Sequence, residues 1–260
     1  MRRPVIHPRL KRVPRGITLI EVLVVIALLA VLSGIVWGVA RMGKRRAQMI
    51  ESTSNLRQLV LANANYAADH GTYAPAMDPS NLKRWHGSRN GPSDAFEPRG
   101  GFLNPYLGDS QEVGFCPRLE EMITDEKSWE QGSGGYGYNA TYIGGTPKDP
   151  FRPAVPANIR DLHTLMFATT AFANSSGLQE YPFAEPREWV DPNGHLSGKL
   201  QPSVHFRFNG KALVAWCDGT VTAEEMSEES ELNYYGGDNT LHGIGFCGPA
   251  EENGWWNPGR

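Results

Sequence analysis

The sequence predicts an α+β fold: one long N-terminal α-helix, apolar enough in its first half to span a membrane, packed on an antiparallel β-sheet with long loops. Three observations carry this expectation. Nineteen consecutive residues, Val22 to Ala40, carry no charge. Helical periodicity then resumes beyond a basic stretch and runs to about His70. Far along the chain, apolar runs alternate with the turn dipeptides Asn209-Gly210 and Asp218-Gly219.

Composition narrows the class. A chain of 260 residues with 40% hydrophobic and 20% charged side chains is neither wholly disordered nor fibrous. Its 29 Gly and 19 Pro predict extensive loop. A mean hydropathy of -0.41 excludes a polytopic membrane protein. The net charge of -3 conceals a division: residues 1–46 hold ten Lys/Arg against the single acid Glu21, whereas the rest holds 15 basic and 27 acidic residues. A basic head on an acidic body reads as a topology signal and argues against a nucleic-acid partner.

The first element is the apolar run. As a helix, nineteen residues rise about 28 Å, close to the ~30 Å hydrocarbon core of a bilayer. Six Lys/Arg precede it and four follow within six residues, which sets the N-terminus in the cytoplasm by the positive-inside rule. A secretory signal peptide would have a shorter apolar region and no acid at its mouth. Within the run, Gly34 and Gly38 form a G-x-x-x-G pair suited either to close helix association or to a bend.

Residues Arg15-Gly16-Ile17-Thr18-Leu19-Ile20-Glu21-Val22, followed by the apolar run, resemble the N-terminal cleavage and methylation signature of type IV pilins and type II secretion pseudopilins. The resemblance implies cleavage by prepilin peptidase between Gly16 and Ile17, N-methylation of Ile17, and assembly with other pilin or pseudopilin subunits through the helix. The family usually has Phe where this chain has Ile17. After cleavage Glu21 is the fifth residue, about 6 Å along the axis from the new amine. A carboxylate in an apolar run costs about 2.5 to 3.5 kcal/mol on insertion scales and usually has a partner; the natural one is the N-terminal ammonium of a neighbouring subunit. Complementing the dipole of its own helix is the other role open to Glu21.

Leu56, Leu59, Val60, Ala64 and Ala67 share one helical face, and Gly71 supplies the C-cap. The expected organisation is a leader over 1–16, a transmembrane half-helix over 17–40, an extracytoplasmic half over 41–70 and an α+β body over 71–260. Residues 71 to 112 read as a long loop with one short helix near Phe102 to Leu107. Strands are expected at Leu162 to Thr169, Ser203 to Phe208, Lys211 to Cys217 and Thr220 to Ala223. The last three form a meander about a type I′ turn at Asn209-Gly210, with the long helix as its covering layer.

Asn55-Leu56-Arg57-Gln58-Leu59, Tyr66 to Tyr73, Pro105-Tyr106-Leu107, Phe115-Cys116-Pro117, Tyr136-Gly137-Tyr138-Asn139 and Asn209 through Gly219 are similar to the planctomycete and verrucomicrobial prepilin-type proteins. The C-terminal region of these proteins is named for a His, nine residues and Asp-Gly. Phe208 stands where that His is expected, so any role of the His is absent, and His205 lies on the opposite face of its strand. Relatives often carry a Cys near Ser52 that could partner the Cys of the Phe-Cys-Pro segment.

Of the three cysteines, Cys217 and Cys247 are the expected disulfide, with Cys116 free and buried, although no bridge or another pairing stays open because connectivity is not legible in sequence. Asp218, Asp238 and Asn239 offer oxygens in Gly-rich loops; major pseudopilins often bind calcium in such loops, and turn formation is the competing role. Gly132 to Gly137 matches G-x-G-x-x-G without the flanking strand and helix of a nucleotide site, and reads as a flexible loop. No catalytic constellation is present, so the chain is not expected to be an enzyme. The late aromatics Tyr234, Tyr235, Phe246, Trp255 and Trp256 either complete the core or form an exposed patch.

The expected function is therefore a structural subunit of a type II secretion pseudopilus or type IV pilus-like filament, single-pass in the inner membrane with its body in the periplasm. The alternative is a membrane-tethered binding protein or enzyme, for instance one directed at polysaccharide.

Overall fold

The computed structural model describes residues 18–123, 130–145, 149 and 151–259. The chain divides into two compact units, Met1–Lys44 and Arg45–Arg260. One helix, α1 (Leu19–His70), contributes to both. It ends where expected: Gly71 has φ +79° and its amide donates to Ala67 O, a conformation that costs glycine nothing.

In the second unit the elements after α1 are α2 (Pro117–Glu120), β1 (Tyr136–Tyr138), β2 (Leu165–Thr169), β3 (Phe172–Asn174), β4 (Gly177–Gln179), β5 (Glu188–Val190), β6 (Leu196–Lys199), β7 (Val204–His205), β8 (Lys211–Trp216), β9 (Val221–Glu225), β10 (Glu228–Glu229), α3 (Asn239–His242) and β11 (Ile244–Phe246). The main sheet is antiparallel in the order β1-β2-β8-β9, and a second has the order β10-β11-β7. β3 pairs with β4 and β5 with β6 as separate hairpins.

Period-two alternation along β8 builds two cores. Leu213 and Ala215 join Tyr136, Tyr138 and Phe167 against the α1 residues Leu56, Leu59, Val60 and Ala67. Ala212, Val214 and Trp216 face the other way, onto Val204, Phe206, Phe246 and Trp256. The α1 side is the layer the sequence predicts. The opposite face is covered by a second sheet that the local sequence does not predict, and by the C-terminal tail, where Phe246 and Trp256 take the core-completing role open to the late aromatics.

The expected meander is corrected at one strand. Phe208 and Lys211 exchange both backbone hydrogen bonds, at 3.0 and 3.1 Å, around Asn209 at φ +54° and Gly210 at φ +78°. These are the positive angles a type I′ turn requires. The hairpin goes no further, because β7 pairs with β11 and the remaining edge of β8 is taken by β2. Phe208 itself is buried in the core on the α1 side.

The stretch 71–112 contains one short 3-10 turn, Asn104–Tyr106, as expected. It does not merely decorate the body: Trp85, Phe96 and Leu103 are fully buried, and the Trp85 indole donates to Pro182 O at 2.8 Å. The Gly132–Gly137 segment is likewise interior and not a free loop. Its Gly134 amide and Ser133 hydroxyl donate to the buried Glu180 carboxylate at 2.6 and 3.2 Å, and a Cβ on Gly137 would meet Phe183 and Ala184 backbone at 2.6 and 2.7 Å.

The tail closes the second core. Trp256 is fully buried and its indole donates to Ala184 O at 2.8 Å. Arg187 fixes the preceding loop, donating to the carbonyls of Cys247, Gly248 and Pro249, to Ser227 Oγ and to Glu228. Phe246 and Trp256 complete a core, whereas Tyr234 and Tyr235 are exposed.

Candidate assembly segment and body sites

α1 opens on Thr18, and the opening is a reciprocal cap. The Thr18 amide and hydroxyl donate to Glu21 Oε2 at 2.8 and 2.9 Å, while the Glu21 amide donates to Thr18 Oγ1 at 3.3 Å. This is a capping box, which satisfies two amides that the first helical turn leaves without partners. Its signal in the sequence is the Thr-x-x-Glu spacing, which lies inside the longer cleavage and methylation motif. Gly16 and Ile17 lie outside the described residues.

From Leu19 to Met42 every large apolar side chain is exposed, and the most apolar stretch of α1 is 0% buried within the chain. The length and composition of this segment suffice to cross a membrane, which is consistent with a membrane-anchored protein. The helix is continuous through Gly34 and Gly38. A Cβ on either glycine would meet nothing within 4 Å, so both leave an open notch of backbone on the helix surface. At the end of the apolar run the Arg41 guanidinium sits 5.9 Å from the Trp37 ring centroid, an aromatic and cationic pair typical of a membrane boundary.

In the body, the expected disulfide is corrected. Cys116, Cys217 and Cys247 are all free thiols. Cys217 packs on the α1 side of the main sheet and Cys247 on the opposite side, so the sheet lies between them. Burial pushes both thiols up to about 12, which leaves almost no reactive thiolate near neutral pH. Cys116, buried as expected, lies with its Sγ 3.2 Å from Ser52 Oγ. This is the pair of positions singled out by the similarity to planctomycete and verrucomicrobial chains.

The residues considered for calcium have structural duties. Asp218 accepts from the Thr220 amide and hydroxyl at 2.8 and 2.6 Å in the β8–β9 turn. Asp238 caps α3 by accepting from the Leu241 amide at 2.9 Å. Asn239 is buried, donating to the carbonyls of Ser230 and Leu232 and accepting from Asn233. Among the described residues no group of three or more His, Cys, Asp or Glu could hold a metal ion. Asp218 and Asp238 thus act as turn and cap residues, the role that competes with calcium, and Asn239 ties its loop together from the interior.

Comparison with family models matches residues 11–37 to the prokaryotic N-terminal methylation motif. Neither curated proteins nor solved structures give a match. The matched segment contains Gly16, Ile17, the Thr18–Glu21 cap and Gly34.

Proposed function

We propose that this chain, which is a prepilin of the type IV pilin and pseudopilin type by its N-terminal motif, matures into a structural subunit of a type II secretion pseudopilus or type IV pilus-like filament. The motif implies processing by prepilin peptidase and assembly with other pilin subunits. In this reading the leader is cut between Gly16 and Ile17, Ile17 becomes the methylated terminus, and α1 remains in inner-membrane lipid with the body in the periplasm. The chain has no catalysis of its own and no nucleic-acid partner.

The observation that carries this reading is the coincidence of the motif with an apolar helix that its own chain leaves uncovered. Apolar surface on that scale is stable only against lipid or neighbouring helices. The charge pattern agrees: six basic residues belong to the leader, and residues 17–260 retain 19 basic against 28 acidic side chains. The leader acts as a topology signal, and what remains is an acidic body behind the collar of Arg41, Lys44, Arg45 and Arg46. The test is Gly16→Val in a host that carries prepilin peptidase. Processing should stop and leave a chain sixteen residues longer by intact mass; unaltered processing would refute the reading.

A further inference from the structure

A cavity of about 410 Å³ opens in the body, and its lining includes Thr141, Phe151, Tyr181, Phe183, Glu185 and Trp189. That volume lies within the ~300 to 1,000 Å³ range of small-molecule sites. Phe151 and Trp189 are 43% and 49% exposed, so both rings keep aromatic surface available to a ligand in the cavity. Tyr181 and Phe183 meet edge to face with centroids 5.8 Å apart.

Among these walls stands one carboxylate. Glu185 Oε1 accepts a 2.8 Å hydrogen bond from the Tyr181 hydroxyl, and among the described residues it enters no salt bridge. Arg84, whose guanidinium lies 5.0 Å from the Phe183 centroid, is already paired with Glu130. Burial raises the Glu185 pKa, with the Tyr181 hydrogen bond opposing that rise. A carboxylate in apolar surroundings without a counter-charge is costly, and an incoming cation relieves that cost.

We propose that this cavity binds a small organic ammonium, its cationic head against Glu185 and its apolar frame against the aromatic walls. The electron-rich faces of Trp, Tyr and Phe attract an ammonium, and the carboxylate adds direct charge complementarity. A sugar fits less well. Beyond Glu185 and its Tyr181 partner, the described lining offers as polar side-chain groups only the Thr141 hydroxyl and the Trp189 indole, too few for the hydroxyls of a pyranose ring. The inference concerns the body alone and is independent of filament assembly.

The test is isothermal titration of the full chain in a nonionic detergent with benzyltrimethylammonium. Benzyl alcohol serves as the neutral analogue and methyl glucoside as the sugar. The ammonium should bind saturably at one site per chain, and benzyl alcohol and the glucoside at least tenfold more weakly. Glu185→Gln, which keeps shape and removes charge, should weaken ammonium binding about tenfold, and Trp189→Ala about threefold or more. Thermal melts of both variants establish that they fold, and Trp189 is exposed enough for its removal to spare the core. Absence of saturable binding by the wild-type chain overturns the proposal by itself, as does equal affinity for benzyl alcohol, preference for the glucoside, or indifference to Glu185→Gln.

Discussion

The Asn63 side chain donates from Nδ2 to the Tyr138 hydroxyl at 3.0 Å, and that hydroxyl in turn donates to Ala74 O at 3.0 Å. Asn63 Oδ1 closes the circuit by accepting from the Ala74 amide at 2.8 Å. Three segments, α1, the chain just beyond its C-cap and β1, are thus tied by a polar knot inside an apolar core. Tyr138→Phe leaves the Asn63 amide and the Ala74 carbonyl each short of a partner. That change should cost about 1 to 3 kcal/mol of body stability. Asn63→Leu should cost a similar amount by orphaning the Ala74 amide. Because both act on one knot, the double variant should lose less than the sum, which a chemical-denaturation cycle on the full chain would measure.

The N-terminal helix was legible in sequence for a physical reason. An uncharged run bounded by basic residues has one solution in lipid, and the Leu56, Leu59, Val60 face has one periodicity. The Asn209-Gly210 turn was equally legible, since few dipeptides accept two positive φ angles. What lay beyond reach depended on long-range choices. Val204 and His205 read as a continuation of the Asn209-Gly210 hairpin, yet they pair with β11 about forty residues on. Nothing local records which edge a two-residue strand will choose. Trp85, Phe96 and Leu103 were hidden because turn-rich composition says where a backbone is irregular and not whether its side chains are buried. The capping box carries its Thr-x-x-Glu signal in plain sight, but Thr18 and Glu21 also belong to the cleavage and methylation motif, so spacing alone does not separate the two roles.

Ser52 and Cys116 give a test of geometry. Their Oγ and Sγ atoms are 3.2 Å apart in the buried face between α1 and the start of α2, across a sequence separation of 64. Ser52→Cys should therefore form a disulfide with Cys116 when the body matures in an oxidising compartment. Closing a loop of that length should add about 2 to 4 kcal/mol of stability. Peptide mapping under non-reducing conditions should recover the 52–116 cross-link and find Cys217 and Cys247 still as thiols. A cross-link from residue 52 to either of those cysteines would show the packing to be wrong.

Glu180 sets a pH dependence whose sign is fixed. Burial raises its pKa, against hydrogen bonds from the Gly134 amide, Ser133 hydroxyl and Gly132 amide. The folded chain therefore holds this proton more tightly than the unfolded chain does. The resulting stability is fully present below the ordinary carboxylate range and is lost as pH rises through the elevated folded value. Other carboxylates add slopes of their own, so the measurement is the difference between wild type and Glu180→Gln. The wild type should lose stability relative to the variant as pH is raised from about 4 toward neutrality. A relative gain over that interval would mean that the loop hydrogen bonds outweigh burial.

Glu21 caps its own helix, and three substitutions separate that task from the proposed pairing with a neighbouring subunit. Its carboxylate completes the cap with Thr18, a task that Gln performs nearly as well because a capping box needs only an acceptor at that position. Pairing with the terminal ammonium of a neighbouring subunit needs the negative charge, which Gln lacks. If capping is the whole of its role, Glu21→Gln should assemble normally, whereas Glu21→Ala and Thr18→Ala should fray the first turn at about 0.5 to 2 kcal/mol each. If the charge matters for assembly, Glu21→Gln should fail as fully as Glu21→Ala, while Thr18→Ala, which keeps the carboxylate, should still enter filaments. The proposed function requires the second pattern. It is read by the fraction of processed chain recovered in sheared filaments or cross-linked to neighbouring subunits, with leader removal monitored in parallel so that a processing defect is not mistaken for one of assembly.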